Sequence, residues 1–160
     1  MGDLGRAAQN TIMEGLFKLG LISAKDPRQV RMFYMHGLGH WIGMNVHDVG
    51  SYSTPLKPGM MFTNEPGIYI REDALNYLPD TPENKAMIAK IKPAFEKYKN
   101  IGVRIEDDLL ITDNGVVWMT KALPRSIADV EAFIAKASKE LPYTAEGATH
   151  QNLFTRAASH

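Results

Sequence analysis

Three of the five histidines in this 160-residue chain fall within the fifteen residues HGLGHWIGMNVHDVG, His36 to Gly50, which also hold four glycines. Imidazoles bind metals and move protons near neutral pH, and glycine lets a ligand or a second backbone come close. In an extended chain His36, Leu38 and His40 face one side, so two imidazoles can flank one small volume. Taken singly, each histidine reads more readily as a hydrogen-bonded member of a core or interface than as a functional group. Three together in a glycine-rich segment point to chemistry.

Two carboxylates stand where strand residues are normally apolar. In VRIEDDLLIT, Arg104, Glu106 and Asp108 share one strand face, and Ile105, Asp107, Leu109 and Ile111 share the other. A solvated face explains Glu106 as well as a site does. Glu65, between MMFTN and PGIYI, is harder to dismiss, because a carboxylate among apolar residues needs a cation or a donor if it is buried. One imidazole with several carboxylates is a donor set for manganese, cobalt, iron or zinc in a hydrolytic site. The chain has no cysteine, which excludes thiolate nucleophiles, disulfides and cysteine-ligated zinc. It also lacks G-x-S-x-G, G-x-x-x-x-G-K and H-E-x-x-H, so serine-hydrolase, phosphate-loop and zincin readings have no support. The methionines read as core filler.

These side chains need a scaffold. Leu4, Ala8, Ile12, Leu16 and Leu19 draw an apolar stripe on a helix that ends near Gly20. From about Val30 to Val46 the glycines and RMFYM predict strand and irregular backbone. LKPGMMFTNEPGIYI reads as a turn, a short extended run, a second Pro-Gly and a strand. Residues 82 to 98 suit a helix interrupted at Pro93. VRIEDDLLIT and GVVWMT, joined by DNG, predict a hairpin. A last helix starts at the cap Ser126, with Asp129 three residues on, and runs to about Ser138. The order of elements predicts an α+β fold with antiparallel strands and flanking helices. One domain over 1–138 and a tail over 139–160 account for the length.

The blocks HGLGHWIGMNVHDVG, LKPGMMFTNEPGIYI and NIGVRIEDDLLIT, in that order, resemble the three signature blocks of the Xaa-Pro aminopeptidase and prolidase family, metallopeptidases of the pita-bread fold. The resemblance spans about residues 5 to 135. It implies His40, Glu65 and Glu106 as metal ligands, with Glu65 also moving protons and Glu106 bridging two ions. It implies His36 and His47 beside the substrate, stabilising a tetrahedral intermediate, and Arg104 close to the site as a substrate-binding residue. The implied cofactor is a pair of divalent ions, manganese first, with cobalt or zinc as substitutes. The implied substrate is a peptide with proline second; a dipeptide-specific prolidase and a metal-free binding module are the alternatives.

One departure stands out. The family's dinuclear centre needs two aspartates ahead of the histidine block, and only Asp3 and Asp26 precede His36 here. The expectation is therefore half of a pita-bread catalytic domain, an excised or truncated piece that holds at most one ion weakly and has negligible turnover. Its missing partner is the amino-terminal half, and self-association through an exposed apolar face is a second expectation. The segment between Glu65 and Glu106 is long, and suggests a lid or a dimer contact.

Eighteen basic and eighteen acidic side chains cancel, and no Lys/Arg stripe suggests a nucleic-acid partner. No apolar run suits a bilayer and MGDLGRAAQN lacks a signal-peptide core, so no membrane partner is expected and the cytoplasm is the expected location.

Overall fold

A computed structural model of the chain describes residues 1–140. The end of the tail lies outside them, from residue 141. They fall into two compact units, Met1–Lys121 and a second that begins at Ala122.

Helix α1 is Gly2–Leu19 and ends where Gly20 turns left-handed at φ 76°, its N–H returning to Leu16 and Phe17. Of the expected stripe, Ile12 and Leu16 are buried, while Leu4 and Leu19 stay exposed. Helix α2, Pro27–Val30, replaces the start of the expected strand. The signal lay just upstream: Asp26 caps the Arg28 N–H and Pro27 supplies the first helical φ. Strands β1 (Met61–Asn64) and β2 (Gly67–Ile70) follow, then α3 (Pro82–Tyr98), β3 (Ile101–Arg104), β4 (Asp107–Thr112), β5 (Gly115–Trp118) and α4 (Ile127–Glu140).

Helix α3 starts at the expected place because Thr81 accepts the Asn84 N–H and Pro82 is its first residue. It is not interrupted at Pro93. The turns on either side hold it, since Ile91 and Phe95 are both buried. Phe95 meets Phe33 with ring centroids 6.4 Å apart, in a core shared with Ile12, Leu16, Leu21, Ile22, Val30, Tyr34 and Ile70. The long segment between the two glutamates therefore closes the core. Helix α4 begins as expected, with Ser126 Oγ accepting the Asp129 N–H at 3.1 Å and donating to Asp129 Oδ2 at 2.6 Å.

The strands make one three-stranded sheet, β1-β4-β5, and one two-stranded sheet, β2-β3, all antiparallel. The expected hairpin is β4-β5, closed at Thr112 and Gly115, where Gly115 has φ 119°. VRIEDDLLIT is not one strand. It breaks between Arg104 and Asp107, so the faces expected of a continuous strand do not run through Glu106. Among the described residues no helix is long and apolar enough to cross a membrane.

Candidate metal centre

The break that ends β3 is matched by one at Glu65-Pro66, between β1 and β2. Asn64 lies opposite Asp107 in one sheet and Gly67 opposite Arg104 in the other. Both sheets thus keep a single register, which leaves Glu65 facing Glu106 at the point where the chains cross from sheet to sheet. The proline removes an N–H from the ladder here, and the Ile105 N–H reaches the Pro66 carbonyl only at 3.4 Å.

The histidine block reaches the same place along the other edge of β1. Glu65 N–H donates to Leu38 O at 2.8 Å, Thr63 N–H to His40 O at 2.9 Å and Ile42 N–H to Met61 O at 3.0 Å. This pairing requires glycine at position 39, where a Cβ would sit 1.8 Å from the Thr63 carbonyl oxygen. His40, Glu65 and Glu106 are thereby gathered, each offering a ligand atom within 4.8 Å of the others. They are the group of metal-ligating side chains that the described residues show.

The donors suit a divalent ion. His40 Nδ1 lies 3.0 Å from the Trp41 carbonyl oxygen; a carbonyl only accepts, so a neutral ring carries its proton there and Nε2 keeps its lone pair. Nε2 lies 3.3 Å from Glu65 Oε1, close enough for both atoms to bind one ion at roughly 2.1 Å. The Trp41 carbonyl also takes the Asp48 N–H at 3.0 Å, which steadies it behind the ring.

Glu65 is buried and its charge is met on both oxygens. Thr63 Oγ1 donates to Oε1 at 2.8 Å and Arg104 Nη1 to Oε2 at 3.0 Å. Arg104 therefore supplies the cation that burial of Glu65 demands. Glu106 is exposed. His47, also exposed, packs edge-on against His40 with centroids 4.3 Å apart.

His36 has its own set of partners. Its Nδ1 faces the Gly37 carbonyl at 2.7 Å, which leaves Nε2 to accept the Tyr69 hydroxyl at 3.1 Å. Tyr34 closes the other side, edge-on at 5.3 Å. Tyr34 itself is buried, and burial, with the Glu65 charge second, pushes its hydroxyl above the ordinary tyrosine value. Asp3 pairs with Arg6 and Asp26 with Arg28, so the two early aspartates are engaged elsewhere. Sequence reasoning missed Thr63, Tyr34 and Tyr69. Only Thr63 carried a signal, being two residues before Glu65 and so on the same side of the chain.

One imidazole and two glutamates gathered where two strand pairs change sheets make a metal-hydrolase donor set. The chain belongs to metallopeptidase family M24, whose model matches residues 1–113. It is 46% identical over 127 residues to the Xaa-Pro aminopeptidase of Haemophilus influenzae, covering 74% of this chain and 25% of that protein. It is 32% identical over 162 residues to the Xaa-Pro dipeptidase of Rattus norvegicus, covering 87% and 32%. Among solved structures it matches the aminopeptidase PepP of Pseudomonas aeruginosa with TM-score 0.64 and 37% identity, over 87% of this chain and 30% of that one. The fold is thus that of part of a pita-bread domain, and the chain spans about a quarter to a third of the length of these relatives.

Proposed function

We propose that this chain supplies the histidine-glutamate side of the metal centre of an Xaa-Pro aminopeptidase, which releases the first residue of a peptide whose second residue is proline. The observation that carries this reading is the lone-pair face of His40 Nε2 set against Glu65 Oε1, with Glu106 beside them. His40, Glu65 and Glu106 are the proposed ligands, manganese the first choice of ion and cobalt or zinc its substitutes. Bound there, a divalent ion supplies Lewis-acid polarisation of the scissile carbonyl and brings the pKa of water towards neutrality.

The chain's own residues then have separate tasks. Oε1 of Glu65 is engaged by Thr63 and faces His40, so proton movement falls to Oε2, where the half-exposed Arg104 is the group that must yield. His47, open to solvent beside His40, is the donor placed to meet an oxyanion. His36 can donate from Nε2 only by giving up its bond from Tyr69. The bond before proline has no N–H, so recognition depends on shape around the pyrrolidine ring.

The resemblance implies two aspartate ligands more, and the early aspartates are engaged elsewhere. The isolated chain is therefore proposed to hold one ion weakly, with negligible turnover. The other half of the catalytic domain is the proposed partner of the exposed apolar strands β3 and β5. A cytoplasmic location belongs to the same reading.

Calorimetric titration with Mn²⁺ beside Glu106→Gln tests the site. One saturable site, lost in the variant, is expected; no heat above the blank from the unsubstituted chain would sink the reading. A second reading, Xaa-Pro dipeptidase, rests on the 32% identity to the rat dipeptidase over 87% of this chain. With the rest of the catalytic domain supplied, cleavage of Xaa-Pro dipeptides but not of longer Xaa-Pro peptides would select it.

A further inference from the structure

Thr63 is almost wholly buried, at 1% exposure, and touches two of the three proposed ligands. Its hydroxyl accepts the His40 N–H at 2.9 Å and donates to Glu65 Oε1 at 2.8 Å. A hydroxyl has one proton, and a backbone N–H can only donate. The direction of both bonds is therefore set, with the Thr63 proton on the side of Oε1. That proton occupies one lone pair of Oε1 and leaves another for the side where His40 Nε2 lies. The backbone of Thr63 repeats the grip, because its N–H donates to the His40 carbonyl at 2.9 Å. His40 is thus held at both its N–H and its C=O by one residue, and Glu65 is held by the same residue's side chain.

We infer that Thr63 is a positioning residue of the metal centre, whose hydroxyl sets the spacing of His40 Nε2 and Glu65 Oε1 at which a divalent ion is captured. The inference rests on the metal reading above and deepens it. Partners that orient ligands in this way change metal affinity by about 10- to 100-fold when removed. The hydroxyl is the operative group, because the methyl of Thr63 meets neither ligand in these bonds.

The test compares Thr63→Val, close in shape but without the hydroxyl, with Thr63→Ser, which keeps it. Two quantities are read on the 160-residue chain. The first, without metal, is amide hydrogen exchange at His40 relative to Glu65, whose N–H goes to Leu38 O and does not involve the hydroxyl. The second is the Mn²⁺ dissociation constant by calorimetry. In Thr63→Val the His40 amide should exchange at least about 10-fold faster relative to Glu65, and Mn²⁺ should bind about 10- to 100-fold more weakly. Thr63→Ser should restore both. Thr63→Ala carries the same two expectations should the valine variant not fold. Unchanged His40 exchange or unchanged affinity in the hydroxyl-free variants would overturn the inference, as would a serine variant as impaired as valine. If the unsubstituted chain binds no Mn²⁺, the metal reading fails by itself, and the His40 amide still decides whether Thr63 is the clamp.

Discussion

Glu65 and Glu106 face each other across a single antiparallel register, although one is buried and the other exposed and neither lies within a strand. The asymmetry separates folding from binding. Glu65→Ala leaves the buried Thr63 hydroxyl and the Arg104 guanidinium without their acceptor, which should lower unfolding free energy by about 1–3 kcal/mol. Glu106→Gln alters an exposed group and should stay within about 0.5 kcal/mol of the parent. Urea unfolding of both variants measures the difference, and equal losses would contradict the burial of Glu65.

Gly39 and Gly37 give a sharper contrast. A Cβ at position 39 would lie 1.8 Å from the Thr63 carbonyl oxygen, whereas one at 37 meets nothing within 4 Å. Gly39→Ala must push the histidine block off β1, at a cost of at least about 1–3 kcal/mol. Gly37→Ala should be nearly neutral. Thermal melts decide, and metal affinity should fall only in the first variant.

Phe95 anchors α3 to the core against Phe33. Truncating it to alanine opens a cavity and should remove about 3–5 kcal/mol of stability, read as a fall in the urea midpoint with unchanged slope. A loss under about 1 kcal/mol would mean that α3 is a dispensable cover and not part of the core.

Tyr34 provides a pH test. Burial, with the Glu65 charge second, raises its hydroxyl above the usual value of about 10. The folded state therefore holds the proton more tightly than the unfolded state. That contribution is fully present below pH of about 10 and is lost as pH rises beyond it. Ultraviolet titration should show a late component that is lost in Tyr34→Phe, and the variant's stability should fall less steeply in alkali.

Much of the frame was legible in local sequence. Gly20 ends α1, Thr81 and Pro82 start α3, Ser126 and Asp129 open α4, and the DNG turn closes β4-β5. Each of these is settled by one residue's φ preference or by a side chain bonding a backbone group a few positions away. Glu65 was legible too, as a carboxylate costly to bury among apolar neighbours without a partner, whereas His40 and Glu106 were marked as ligands by the family resemblance. Helix α2 was legible in principle from Asp26-Pro27, but the apolar run beyond it read as strand.

Only the tertiary structure decided that Arg104 answers Glu65, that Thr63 joins His40 to Glu65, that Tyr69 occupies His36, and that α3 runs unbroken through Pro93. The matched crossing of two strand pairs at Glu65 and Glu106 belongs to the same group. These relations link residues that are distant in sequence, and no local preference encodes them. They exist because backbone N–H and C=O groups must find partners once chain segments are packed together, and because a buried carboxylate draws in whichever donors the register brings within reach.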